Sequence, residues 1–223
     1  PIFDFYRLLL KNGVKLTNKP FAIGFRVEHL AEMINIAQWG KRSLPGVKAA
    51  EYRLTTSVDN GSVFTFCMCP GGKVVQAAPM TGLSVVNGMS DYARNGIFAN
   101  SAVVTPFKIE ELAGGIISPL KALDLLENLE RKFYNHSDSF DIPAVNISDL
   151  LQGKPSNRFS PSSYAFKLAS ADFTELFPQK VLERLINGLK IFNNRIKGFQ
   201  DGVAMGLESK TSSPLKAERN QDL

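Results

Sequence analysis

Four short segments of the chain gather residue types that chemistry draws on. Phe66-Cys67-Met68-Cys69-Pro70-Gly71-Gly72 ends an expected strand in a tight glycine turn. On a regular strand Cys67 and Cys69 point to the same face, so they read as a redox pair or as two small buried side chains, the commoner fate of a free thiol. Gly71-Gly72 admits a close approach by a ligand or by another stretch of backbone. Asn87-Gly88-Met89-Ser90, with Arg94-Asn95-Gly96, offers amide and hydroxyl donors and one cation, a set suited to a polar cofactor or an anionic substrate, or to a strand end entering a turn. Glu208-Ser209-Lys210-Thr211-Ser212-Ser213-Pro214 packs a carboxylate, a cation and hydroxyls into a segment that also reads as an ordinary turn. Gly24-Phe25-Arg26-Val27-Glu28-His29 sets Arg26 and Glu28 on one strand face, where burial would demand partners for both charges. His29 reads as a general acid or base, or as an exposed residue at a helix start.

Several chemistries lack their motif. No G-x-G-x-x-G opens a helix after a strand, and there is neither a phosphate-binding P-loop nor a G-x-S-x-G elbow. The two histidines, His29 and His136, do not stand at zinc-finger spacing from the thiols, so no metal is expected.

The elements that must hold these segments follow from periodicity. Phe3, Tyr6, Leu9 and Leu10 predict a short opening helix stopped at Asn12-Gly13. Residues 21–27 predict a buried strand, followed by a helix over about 30–38. Short strands are expected at 52–57, 63–69, 73–77, 83–87 and 99–105, with Asp59-Asn60-Gly61 and Pro70-Gly71-Gly72 as hairpin turns. Leu120, Leu123, Leu126, Leu129 and Phe133 predict a long helix, as do Val181, Leu185, Leu189 and Phe192 after Pro178. Residues 138–163, rich in Ser, Pro and Asn, read as loop with a short helical turn, and strands return at 202–207 and 215–219. The expected fold class is α+β: a β-rich domain of mostly antiparallel short strands, 1–112 and 202–223, carrying a helical insertion at 113–201.

Composition narrows the class further. With 44% hydrophobic and 21% charged residues among 223, the chain has enough apolar material for a core that needs no covalent staples. The net charge of +5 is scattered along the sequence, which argues against a nucleic-acid binder. No apolar run is long enough to cross a bilayer and no leader is visible, so no membrane role is expected. The two cysteines are expected as reduced thiols, which points to the cytoplasm. Opening on Pro1, directly inside a folded element, suggests a segment of a longer protein.

Taken in order and spacing, residues 19–29, the run FCMCPGG at 66–72, Asn87 to Ser90 with Arg94-Asn95 and Ala99-Asn100-Ser101, and Thr211 to Pro214 resemble the uncharacterised FAD-dependent, or NAD(FAD)-utilising, dehydrogenase family over roughly residues 5 to 220. The resemblance implies a parent with FAD bound mainly by a dinucleotide-binding half outside this region. This chain would then be the substrate-side cap closing over the flavin, not catalytic alone and holding no FAD alone. It would partner that half and an unidentified small-molecule substrate.

Pocket candidates carried over by the resemblance are Arg26, Cys67, Cys69, Gly71, Gly72, Asn87, Met89, Ser90, Arg94, Glu208, Thr211 and Ser212. Two departures stand out: Lys210 and Lys216 occupy positions where the family more often has arginine, which removes the planar two-pronged donor. A nucleic-acid or protein binding module attached to a flavoprotein is the alternative, and would show a continuous basic groove lined by aromatics. A flavin-side cap would instead bring the polar segments onto one concave face.

Overall fold

Apolar side chains on alternate positions of a strand need cover from a second layer, and here helices supply it on one face of a large sheet. A computed structural model of the protein describes residues 2–59, 61–78, 80–137, 140–210 and 214–219. The elements in chain order are α1 (Ile2–Lys11), β1 (Leu16–Asn18), β2 (Phe21–Leu30), α2 (Ala31–Trp39), β3 (Thr55–Val58), β4 (Gly61–Cys69), β5 (Gly72–Gln76), β6 (Val86–Ser90), β7 (Phe98–Phe107) and α3 (Ile109–Ala113). They continue as α4 (Pro119–Ser137), β8 (Ile142–Asn146), α5 (Ile147–Leu151), β9 (Leu168–Ser170), α6 (Phe173–Leu176), α7 (Gln179–Arg195), a single 3₁₀ turn at Phe199–Asp201, β10 (Val203–Lys210) and β11 (Leu215–Ala217). The fold is α+β with mostly antiparallel pairing, as expected.

Seven strands form the main sheet in the order β3-β4-β7-β2-β10-β8-β9, and two further pairs, β1-β11 and β5-β6, stand outside it. β2 and β7 run antiparallel in unbroken register from Phe21 opposite Phe107 to Leu30 opposite Phe98. They come close enough at Gly24 that an added Cβ would lie 1.9 Å from the Val103 carbonyl oxygen. Phe25, Val27 and Val103 enter the main core with Phe133, Leu185, Leu189 and Phe192 from α4 and α7 and with Phe173 and Phe177 from the segment before α7. Phe25 and Phe133 both pack against the Phe173–Phe177 pair, with ring centroids 5.0 to 6.4 Å apart. Each such fully buried side chain stabilises the fold by roughly 1.5–3 kcal/mol.

Two expectations change, and a third, the hairpin turn at 59–61, stands. Residues 142–146, read as loop, are strand β8, which pairs antiparallel with β10 and parallel with β9. Pro143 and the Ser- and Asn-rich surroundings hid it, because proline removes a ladder donor and demotes a run in any propensity reading. The glycine turn after β4 does not close a hairpin: β5 leaves the main sheet and pairs with β6, whose span is Val86–Ser90 rather than 83–87. The turn expected at 59–61 joins β3 to β4, with Asp59 at φ 50° and Asn60 outside the described residues. Among the described residues no helix is long and apolar enough to cross a membrane.

Candidate functional site

The face of the sheet turned away from α4 and α7 carries the polar residues, and two bulges decide which ones. Ala22, Gly24, Arg26 and Glu28 of β2 alternate with the core positions, and Asn100, Ala102 and Val104 of β7 lie beside them. In β4, Phe66 stands opposite Ala102 and Cys69 opposite Asn100, so three steps along β4 match two along β7. In β10, Met205 stands opposite Arg26 and Glu208 opposite Gly24, again three steps against two. Each bulge adds one residue and inverts the face that the remainder of its strand presents. Both contain a residue in the left-handed region: Gly206, at φ 63°, where glycine fits without strain, and Cys67, at φ 47°, where a side chain seldom stands. Cys69 and Glu208 therefore turn toward Arg26, while Met68 and Leu207 turn to the main core.

Arg26 is fully buried and its guanidinium uses every donor it has. Nε donates to Asn100 Oδ1 at 2.7 Å, and Nη1 donates to Glu208 Oε2 at 2.7 Å and more weakly to Asn87 Oδ1 at 3.5 Å. Nη2 donates to the Cys67 carbonyl at 2.5 Å and reaches Cys69 Sγ at 3.5 Å. One side chain thus joins β2, β4, β6, β7 and β10. Gly88 roofs the group so closely that an added Cβ would lie 2.2 Å from Arg26 Nη2. Burial pushes the Glu208 carboxyl up, opposed by the Arg26 charge. Burial likewise pushes the Cys69 thiol up, again opposed by Arg26.

Two residues along β2, Glu28 is buried with no cation partner among the described residues. Its Oε1 accepts from Ser162 Oγ at 2.6 Å and from the Ser163 N–H at 3.0 Å, and its Oε2 accepts from Ser163 Oγ. Burial raises its pKa, and the serine donors pull it back. His29 is neither an exposed residue nor a poised acid–base group. It is 3% exposed on the core side, with Nε2 2.7 Å from the Phe199 carbonyl, and burial lowers its pKa to about 4, so the ring is neutral and donates that bond.

Beside the Arg26 group, the β4 bulge opens into a cleft of about 480 Å³ lined by Glu51, Arg53, Thr55, Phe64, Phe66 and Cys67, among others. Cys67 is exposed and Cys69 buried, so the bulge breaks the same-face arrangement expected for the two.

The remaining candidates divide between this frame and its surroundings. Gly71 receives another backbone, since an added Cβ would lie 2.2 Å from the Arg94 carbonyl oxygen, and Gly72 is packed against the Met89 carbonyl. Ser90 Oγ donates to the Pro70 carbonyl at 3.0 Å, Met89 is exposed, and Arg94 is exposed in an ion pair with Glu51. Thr211 and Ser212 lie outside the described residues. The residue reading missed Phe64 and Phe66 as cleft walls, Asn100 as the Arg26 acceptor, and Ser162 and Ser163 as the Glu28 donors. The last two had a signal: a buried carboxylate requires donors, and Ser162-Ser163 is a dense local supply.

Residues 20–211 match the family model described as FAD-dependent protein, C-terminal domain-like. The chain belongs to that family. The chain is also 35% identical over 228 residues to an uncharacterised protein of Clostridium beijerinckii, covering 99% of the chain and 42% of that relative's length. The domain is thus a flavoprotein-associated one, and it spans less than half of the relative it matches.

The side chains differ in how well they fit a flavin. Arg26, Glu208 and Asn87 already satisfy one another, so the buried group supplies no spare guanidinium donor for a ligand. The cleft has the size of a cofactor pocket, and Phe64 and Phe66 line it together with Glu51, Arg53, Thr55 and Cys67. Phe64 and Phe66 are half-buried there, next to the exposed Cys67.

Proposed function

We propose that the domain is the substrate-side cap of an FAD-dependent oxidoreductase, closing over the flavin ring with the cleft wall formed by Phe64, Phe66 and Cys67. The observation that carries this reading is the convergence of three separate polar segments, around Cys67–Cys69, Asn87 and Glu208, on one buried guanidinium that fixes the edge of that cleft. Family membership supports FAD as the cofactor of the full-length protein, with a dinucleotide-binding part holding most of it. Bound flavin would supply the two-electron chemistry, and this domain would orient the ring, exclude water and shape the substrate's approach. Arg26, Glu208, Asn100 and Asn87 act on that site through the backbone they hold, not by touching it. The domain alone is not catalytic.

The test is the visible absorption spectrum of the purified full-length protein against this domain under identical conditions. A yellow full-length protein and a colourless domain support the division of labour, and in that background Phe66→Ala shifts the flavin band or weakens FAD retention. If the full-length protein stays colourless after FAD is added, the oxidoreductase reading fails and the binding-module alternative takes its place.

A further inference from the structure

Cys67 and Cys69 are held in unlike settings on the same bulge of β4. The Cys69 S–H donates to the Cys67 carbonyl at 3.4 Å, so its sulfur lies against the main chain of Cys67. Cys67 is exposed in the cleft; Cys69 is buried against Arg26 Nη2 at 3.5 Å. A pair with one open and one sheltered thiol is the arrangement that thiol–disulfide exchange uses: the open sulfur meets the reagent and the sheltered one resolves the mixed disulfide. The left-handed backbone at Cys67 belongs to the bulge that brings Cys69 round to Arg26. Arg26 holds the same bulge through the Cys67 carbonyl, so both cysteines are tied to one rigid group.

We propose that Cys67 and Cys69 form a reversible dithiol–disulfide couple, with Cys67 as the attacking thiol and Cys69 as the resolving thiol, served by a low-molecular-weight disulfide. The Cys67 thiolate attacks one sulfur of the reagent; its S–S bond breaks, and the departing thiolate takes up a proton. The Cys69 thiol then loses its proton and attacks the Cys67 sulfur, releasing the second reagent thiol. Two cysteine S–H bonds are lost, one S–S bond forms, and the two electrons and two protons leave on two reagent thiols. Nothing in this exchange requires the flavin, so the couple stands or falls apart from the function proposed above.

The experiment equilibrates the purified protein with graded ratios of oxidised to reduced glutathione. The reaction is quenched in acid, remaining thiols are alkylated with a maleimide, and the intact mass is read. The expected product has lost the mass of two hydrogens, takes up no maleimide and reverts on reduction. Cys69→Ser is expected to stop at a glutathione adduct on Cys67, and Cys67→Ser to slow the remaining thiol's reaction about tenfold or more, because it is sheltered. A wild-type protein that accumulates only the glutathione adduct, a dimer linked between molecules, or two thiols alkylated at every ratio would each overturn the couple. The wild-type masses decide the matter even if a variant fails to fold.

Discussion

Arg26 and Glu28 stand two residues apart on one face of one strand, both buried, and the fold satisfies them in opposite ways. Arg26 meets a full opposite charge on Glu208 and fills its remaining donors with amide, carbonyl and sulfur acceptors drawn from three other strands. Among the described residues Glu28 meets no cation, only two neighbouring serines in the segment between α5 and β9. A buried ion pair is costly to break from either side, because the survivor is left charged in a medium that solvates it poorly. A carboxylate held by neutral donors is milder, since protonation discharges it. The first arrangement binds the sheet to itself; the second fastens one connecting segment to the sheet.

That contrast predicts graded losses. Glu208→Ala strands Arg26 and should cost about 3–5 kcal/mol in urea unfolding, whereas the Arg26→Met, Glu208→Leu double variant should lose clearly less than the sum of its single changes. Additive losses would mean the pair is not coupled as described. Gly88→Ala drives a methyl into the guanidinium and should cost about 2–3 kcal/mol without removing any charge. Glu28→Gln keeps the shape and one acceptor oxygen, so about 1–2 kcal/mol is expected, with hydrogen exchange rising first around Ser162 and Ser163. A loss as large as that of Glu208→Ala would erase the distinction between the two arrangements.

Glu130 on α4 sharpens the same point from the other end, as a sheltered carboxylate whose Oε2 finds no donor among the described residues. Burial, and then the neighbouring charge of Glu127, hold its pKa at about 7 against an ordinary 4.5. Between those two values the folded protein keeps a proton that the unfolded chain releases, so stability falls as pH rises through that window and is level above it. Glu130→Gln should flatten that part of the profile and raise stability at pH 8 by about 1 kcal/mol, after allowance for solvent screening. An unchanged slope in a thermal or urea series would show that Glu130 is not the group responsible.

The central strands were legible in the sequence from their apolar content: residues 21–27 are an apolar run broken by Arg26, residues 99–105 hold Ala102-Val103-Val104 among polar neighbours, and both proved to be sheet centre. Helices α4 and α7 were legible for the matching reason, a single apolar stripe at helical spacing. What the sequence could not convey was face. Strict alternation sends Cys67 and Cys69 to one side and Glu208 toward the core, and only the two inserted residues reverse this. Cys67 carries none of the glycine that usually marks such a bulge, and Gly206 lies in a segment where glycine reads simply as a weakening of the strand. Asn100 was visible as part of a motif but had no stated task until Arg26 was placed opposite. The polar group around Arg26 was therefore foreseeable as a set of residues and not as an assembly.

One contact has an evolutionary consequence. Arg26 grips residue 67 by its main-chain carbonyl, an atom that every amino acid shares. The scaffold consequently places no demand on the side chain there beyond tolerance of a left-handed backbone, and Asn, Asp or Gly would satisfy it at least as easily as Cys. The most accessible side chain of the β4 bulge is thus the one freest to be exchanged. A lineage could revise what this cleft does by a single substitution, while the frame that defines the cleft passes unchanged from ancestor to descendant.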